Sequence, residues 1–236
     1  LQKNTTGTNN TGLGHGALRL NTTASNNTAV GYNTGYSNTT GAQNTSVGMT
    51  ALYGNTTGSD NTAIGQGALQ NNTTGGNNVA IGRASLGVNT TGTQNTALGR
   101  SALNSNTTAS NNTAVGYQAG YLNTTGVANL SLGYQAGYTN ATSNYNTAVG
   151  TQSLANNTGS NNVALGQSAL FSNTTASNNT AVGYQAGYSN TTGAYNTFLG
   201  DIAGRDNTTG SSNTAVGYGT MFEGTTTGSS NTAVGT

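Results

Sequence analysis

One short unit recurs through the whole chain, and such a chain folds as a stack of equivalent coils. The marker Asn-Thr-Ala-Val-Gly, or a close variant, starts at Asn10, Asn27, Asn44, Asn61, Asn78, Asn95, Asn112, Asn129, Asn146, Asn162, Asn179, Asn196, Asn213 and Asn231. The spacing is 17 residues throughout, except for one 16 (Asn146 to Asn162) and one 18 (Asn213 to Asn231). No spacer interrupts it. Residues 1–236 therefore read as a single continuous array that meets both ends in mid-pattern, a segment of a longer fibre with no caps visible.

We number the unit from the marker asparagine. Position 5 is always Gly, position 4 is always aliphatic, and position 3 is small except at Phe198. Positions 12 to 15 read Asn-Thr-Thr-Gly or nearly so. A helix fits this poorly, because β-branched residues and Gly recur within every unit and no three-to-four apolar spacing exists. Positions 1–5 and 6–10 read as two short strands, and Asn-Thr-Thr-Gly reads as a turn. The expected fold is all-β: a parallel β-solenoid or β-roll with one unit per coil, about fourteen coils and two strands per coil.

Packing expectations follow. The position-1 asparagines listed above would stack in one file and hydrogen-bond their amides, as in cross-β ladders. Position 5 would need a backbone conformation or a close approach that Cβ forbids. Position 4 would form the aliphatic core stripe. Position 9 is Leu or Gly except at Met221; with Gly there, positions 6 and 10 are usually both Tyr, as at Tyr32 and Tyr36. That predicts two coil types, one filling the core with Leu and one pairing two tyrosines on an edge. Because each coil has few apolar side chains, self-association through the small residues at positions 3 and 8 is expected.

Composition narrows the function classes. Charged residues make up 4 % of the chain, with one His and no Cys. Catalysis by paired titratable groups has little material to work with. Asp201 and Asp206 flank Arg205 and read as a solvated edge with a local ion pair; His15 reads as a substitute for Tyr at position 6. A net charge of +1 offers no electrostatic case for nucleic acid. No apolar run is long enough to span a membrane. The expectation is a non-enzyme without cofactor or metal, without nucleic-acid binding and without membrane insertion in this segment.

Units such as Asn112-Thr-Ala-Val-Gly-Tyr-Gln-Ala-Gly120 and Asn162-Val-Ala-Leu-Gly-Gln-Ser-Ala-Leu170 resemble the head repeats of trimeric autotransporter adhesins. Similar units occur in phage-type tail-fibre shafts and large bacterial surface proteins. The resemblance covers essentially the whole chain. It implies a left-handed parallel β-roll, usually a homotrimer, acting as a rigid projecting or adhesive element. This unit is longer than the family's, the surplus being the Asn-Thr-Thr turn.

The turn suggests a modification. Asn4, Asn21, Asn38, Asn55, Asn72, Asn89, Asn106, Asn123, Asn140, Asn156, Asn173, Asn190 and Asn207 each open an Asn-x-Thr acceptor. On an exposed turn they would carry a row of covalent glycans, solubilising a chain with so little charge. The functional expectation is an extracellular fibre or adhesin shaft, on a cell surface or virion appendage. Its partners would be itself, as a homotrimer or end-to-end filament, and glycans. A receptor-binding phage tail-fibre segment is the alternative. An ice-binding solenoid ranks lower, because an aliphatic position 4 leaves only a single Thr file.

Overall fold

The computed structural model describes residues 1–222 and 227–235. The chain divides into two compact units, Leu1–Gln118 and Ala119–Thr236. The first holds β1 (Thr11–Leu13), β2 (Thr28–Val30), β3 (Thr45–Val47), β4 (Thr62–Ile64), β5 (Val79–Ile81), β6 (Thr96–Leu98) and β7 (Thr113–Val115). The second holds β8 (Leu130–Leu132), β9 (Thr147–Val149), β10 (Val163–Leu165), β11 (Thr180–Val182), β12 (Thr197–Leu199), β13 (Thr214–Val216) and β14 (Thr232–Val234). Within each unit, sequence neighbours pair in parallel with like positions opposed, as Thr28 opposite Thr45 and Val30 opposite Val47. The expected all-β parallel solenoid is what the chain forms.

Each coil has one strand of three residues, where two strands were expected. Positions 6–10 fail to form the second because their backbone changes hand. Position 7 lies at positive φ (Asn33 +49°, Gln118 +53°), and so does position 9 (Leu18 +48°, Gly35 +58°). Two left-handed residues within three positions break the extended conformation a strand needs. Their N–H and C=O groups still bond between coils. In the coil that starts at Asn27, Thr28 N–H reaches Asn44 O at 2.9 Å, Gly31 reaches Leu13 O at 2.8 Å and Asn33 reaches His15 O at 2.8 Å. Gly35 reaches Ala51 O at 2.9 Å, Ser37 reaches Tyr53 O at 3.0 Å and Thr39 reaches Thr56 O at 2.9 Å. The coil is therefore bonded to both neighbours around most of its circumference, as buried backbone groups require.

Position 5 has both features that exclude a side chain. Gly65 sits at φ +129°, and a Cβ there would lie 2.7 Å from the Gly82 carbonyl of the next coil. No other residue type fits a file this tight.

The core sits where the sequence reading did not place it. Position 3 is its floor: Ala29, Ala63, Ala97 and Ala181 have no exposed surface. Ala at position 8 and Leu at position 9 close it from the opposite wall, as Ala68 and Leu69. Position 4 points outward: the strand burial runs half-exposed, buried, half-exposed at Thr28–Val30, and in every strand but the first and last the middle residue is buried while its two neighbours are not. In a strand, positions 2 and 4 share one face and position 3 takes the other. The core is thin enough to admit only small residues at position 3, Phe198 excepted, so the bulkier aliphatics are turned out. The small-residue face expected to mediate association is thus the interior, and it is unavailable to a partner.

Candidate functional site

Two files of asparagine run through the interior, with roles different from those expected. At position 1 the side-chain oxygen accepts the next coil's position-1 backbone N–H, as Asn27 N to Asn10 Oδ1 at 2.9 Å and Asn61 N to Asn44 Oδ1 at 3.0 Å. Its Nδ2 donates to the carbonyl of the adjoining turn, as Asn61 to Gly75 at 2.9 Å. The file holds from Asn10 to Asn112 in the first unit and from Asn129 to Asn231 in the second. It braces side chain to backbone. The amide-to-amide ladder expected there belongs mainly to position 12. Asn38 Nδ2 reaches Asn21 Oδ1 at 2.9 Å, Asn55 reaches Asn38 at 2.8 Å and Asn72 reaches Asn55 at 2.8 Å.

This overturns the exposed turn on which the glycan reading rested. Asn21, Asn38, Asn55, Asn72, Asn89, Asn106, Asn123, Asn140, Asn173, Asn190 and Asn207 are all buried. The atom a glycan would occupy is Nδ2, and in Asn72 it donates to Asn55 Oδ1 at 2.8 Å and Gly75 O at 2.9 Å. A sugar there would replace one of the two donated hydrogens, break that hydrogen bond, and have no room at a side chain with no exposed surface. Asn4 and Asn156 differ and are exposed. In the short coil Asn157, not Asn156, takes the ladder place: Asn173 Nδ2 reaches Asn157 Oδ1 at 2.6 Å.

The neighbouring threonines separate in the same way. Position 13 is tied down, as Thr56 Oγ1 to Thr73 O at 3.0 Å. Position 14 is exposed in every full-length described copy, as at Thr57, Thr74 and Thr91.

The outward sheet face is the most regular surface. In the first unit, position 2 is Thr in every strand but β5, where it is Val79, and position 4 is Leu13, Val30, Val47, Ile64, Ile81, Leu98 and Val115. The second unit carries Leu130 and Val163 among its position-2 threonines and an equally aliphatic position 4. Ile64 is 37 % exposed and Val115 36 %. No charged residue enters either file. Sequence reasoning missed this face, although one signal was available. Position 3, not position 4, is the place held to Ala, and a residue held that small marks the tightest contact.

Aromatic residues form further files. They stack between coils at like positions: His15 on Tyr32 at 5.5 Å, Tyr36 on Tyr53 at 5.2 Å and Tyr121 on Tyr138 at 5.3 Å. His15 thus occupies the aromatic file as expected of a Tyr substitute. The two coil types are present as Leu or Gly at position 9, but the tyrosine contacts seen run along the stack. Arg205 lies over the Phe222 ring, 5.3 Å from guanidinium carbon to centroid, and Asp201 is exposed. Among the described residues no group of three His, Cys, Asp or Glu is placed to hold a metal ion. Nor does any helix there have the length and apolarity to cross a membrane.

The chain matches no protein-family model, no curated protein and no solved structure. Its reading rests on the solenoid and its surfaces.

Proposed function

We infer that the chain is a structural shaft, part of an extracellular fibre or surface adhesin of the kind its repeats resemble. The observation that supports this is the self-complementarity of the coil. Each coil offers its neighbour the same backbone donors and acceptors, and the asparagine files cross-brace the interior. A coil built this way accepts another copy of itself on either side, so length is set only by copy number. The buried amides supply bonding that a count of apolar side chains leaves out, and they make a single stack self-supporting. Homotrimers and end-to-end filaments remain part of the proposal as ways in which such shafts assemble. The receptor-binding tail-fibre alternative lacks comparable support, because it calls for a surface that differs locally from coil to coil.

Microscopy combined with amide hydrogen exchange tests this reading. Straight particles of uniform width with strong protection across the described coils are expected. Collapsed or flexible particles, or exchange at unprotected rates in the interior coils, would overturn it.

A further inference from the structure

We propose that the outward sheet face is an ice-binding surface. The occupant is the crystalline water lattice, and the face runs along positions 2 and 4 of each unit. The proposal is independent of the shaft reading and rests on the placement of position 4.

Position 4 is aliphatic, so the Thr residues form a single file at position 2. The structure turns position 4 outward beside it, giving one hydroxyl-bearing file and one parallel aliphatic file. Coil neighbours in a parallel sheet repeat about every 4.8 Å, and residues two apart on a strand lie about 6.7 Å apart. These are close to the two oxygen repeats on a prism plane of hexagonal ice. The strands are in register, as Thr62 opposite Val79 and Ile64 opposite Ile81, so the grid is not sheared between neighbours.

The side chains suit the task. Thr, Val and Ile, which hold most places in the two files with Leu in the rest, are β-branched and stiff at χ1, so little rotamer freedom is lost when water orders over them. The Thr hydroxyl can enter a water lattice as donor and acceptor. The methyl groups beside it cannot compete for those hydrogen bonds and leave cage-like water to bridge them. Bulk water solvates charged groups far better than ice does, and this face carries none. The closely packed Ala and Leu interior backs the face: Ala63 and Ala80, the middle residues of β4 and β5, are fully buried on its inner side.

The test uses the whole chain with ice alone as the probe. Fluorescently labelled protein is applied to a single growing ice crystal, and recrystallisation is followed in a sucrose film. Wild type should adsorb to the crystal and slow grain growth. A Thr62→Lys/Thr96→Lys variant places two long charged chains on the face and should lose both effects. A Thr74→Lys/Thr108→Lys variant carries the same charges on the exposed turn edge and should keep them. Circular dichroism establishes that each variant is folded. Three results overturn the proposal: no adsorption by folded wild type, equal loss in the turn-edge variant, or a dimer in solution that the sheet-face variant dissociates. The last would assign the face to a second copy of this chain.

Discussion

Replacing Asn72 by alanine removes three hydrogen bonds from a site with no exposed surface. Asn72 Nδ2 donates to Asn55 Oδ1 at 2.8 Å and to Gly75 O at 2.9 Å, and its Oδ1 accepts from Asn89 Nδ2 at 2.8 Å. The three losses are unequal. Gly75 O keeps its bond from Asn61, and Asn89 keeps its bond to Gly92. Asn55 Oδ1 is left buried with no donor, and one Asn89 N–H is left without an acceptor. Three hydrogen bonds at about 1 kcal/mol each, with a desolvation penalty of about 1–3 kcal/mol for the stranded acceptor, predict a loss of about 4–6 kcal/mol.

Denaturant unfolding measures that loss, with Thr74→Ala as the control. Thr74 is exposed, so its truncation should fall within about 0.5 kcal/mol of wild type. Because a solenoid can open locally, hydrogen exchange at Thr56, Thr73 and Thr90 reads the same effect coil by coil. A cost for Asn72→Ala below about 1 kcal/mol would refute the ladder as a source of stability. A glycan found on Asn72 in natural material would refute its burial.

Other perturbations probe the remaining walls. Ala114→Glu places a carboxylate at a position with no exposed surface and should prevent folding of its coil, read as loss of the cooperative transition. Gly65→Ala meets both a φ of +129° and the Gly82 carbonyl, and should cost at least about 2 kcal/mol in the same assay. Phe198→Ala should cost about 3–5 kcal/mol through the cavity it leaves. Adding Gly204→Leu should recover much of that loss, because Leu over Ala is the arrangement of Leu69 over Ala63; strictly additive losses would contradict the packing. Asn156→Ala should be nearly neutral while Asn157→Ala behaves like Asn72→Ala, a contrast that thermal unfolding reads directly.

The coil and its register were legible because both follow from periodicity. Like residues recur at like positions, and stacking them in parallel opposes each to its copy. Position 5 was legible because only Gly tolerates both its φ and its neighbour. The direction of each side chain was not. Thr-Ala-Val alternates, but alternation states which residues share a face and not which face is inside. The usual rule that the larger apolar residue goes in gave the wrong answer. Here the two walls approach so closely that Val or Ile at position 3 would not fit. Phe198 is the exception that explains this: Gly187 and Gly204 lie against its ring, and a Cβ on Gly187 would be 2.6 Å from it. The second strand was illegible for another reason. Leu at φ +48°, as in Leu18, is uncommon, and nothing in its local sequence announces it.

The Asn-x-Thr motif shows how two structural demands beside an exposed Thr can imitate a modification signal. Position 12 needs an amide that both donates and accepts along the stack. Position 13 carries, in every copy but the one with Ala141, a hydroxyl placed toward the next coil's carbonyl, as Thr73 reaches Thr90 at 3.0 Å. Position 14 makes no comparable contact, and its exposure leaves its identity to the surface. The short coil separates these demands. It lacks position 14, so Asn157 keeps the ladder and Thr158 keeps the position-13 bond, to Thr174 at 2.9 Å. The Asn-x-Thr triplet survives only because Asn156 precedes them on the exposed side. Were acceptor sites the reason for the pattern, the short coil would have kept its sequon in the frame of the others. What it kept in frame is the ladder amide and the hydroxyl, so the interior of the stack accounts for Asn at position 12 and for Thr at position 13, while the exposed Thr at position 14 belongs to the surface.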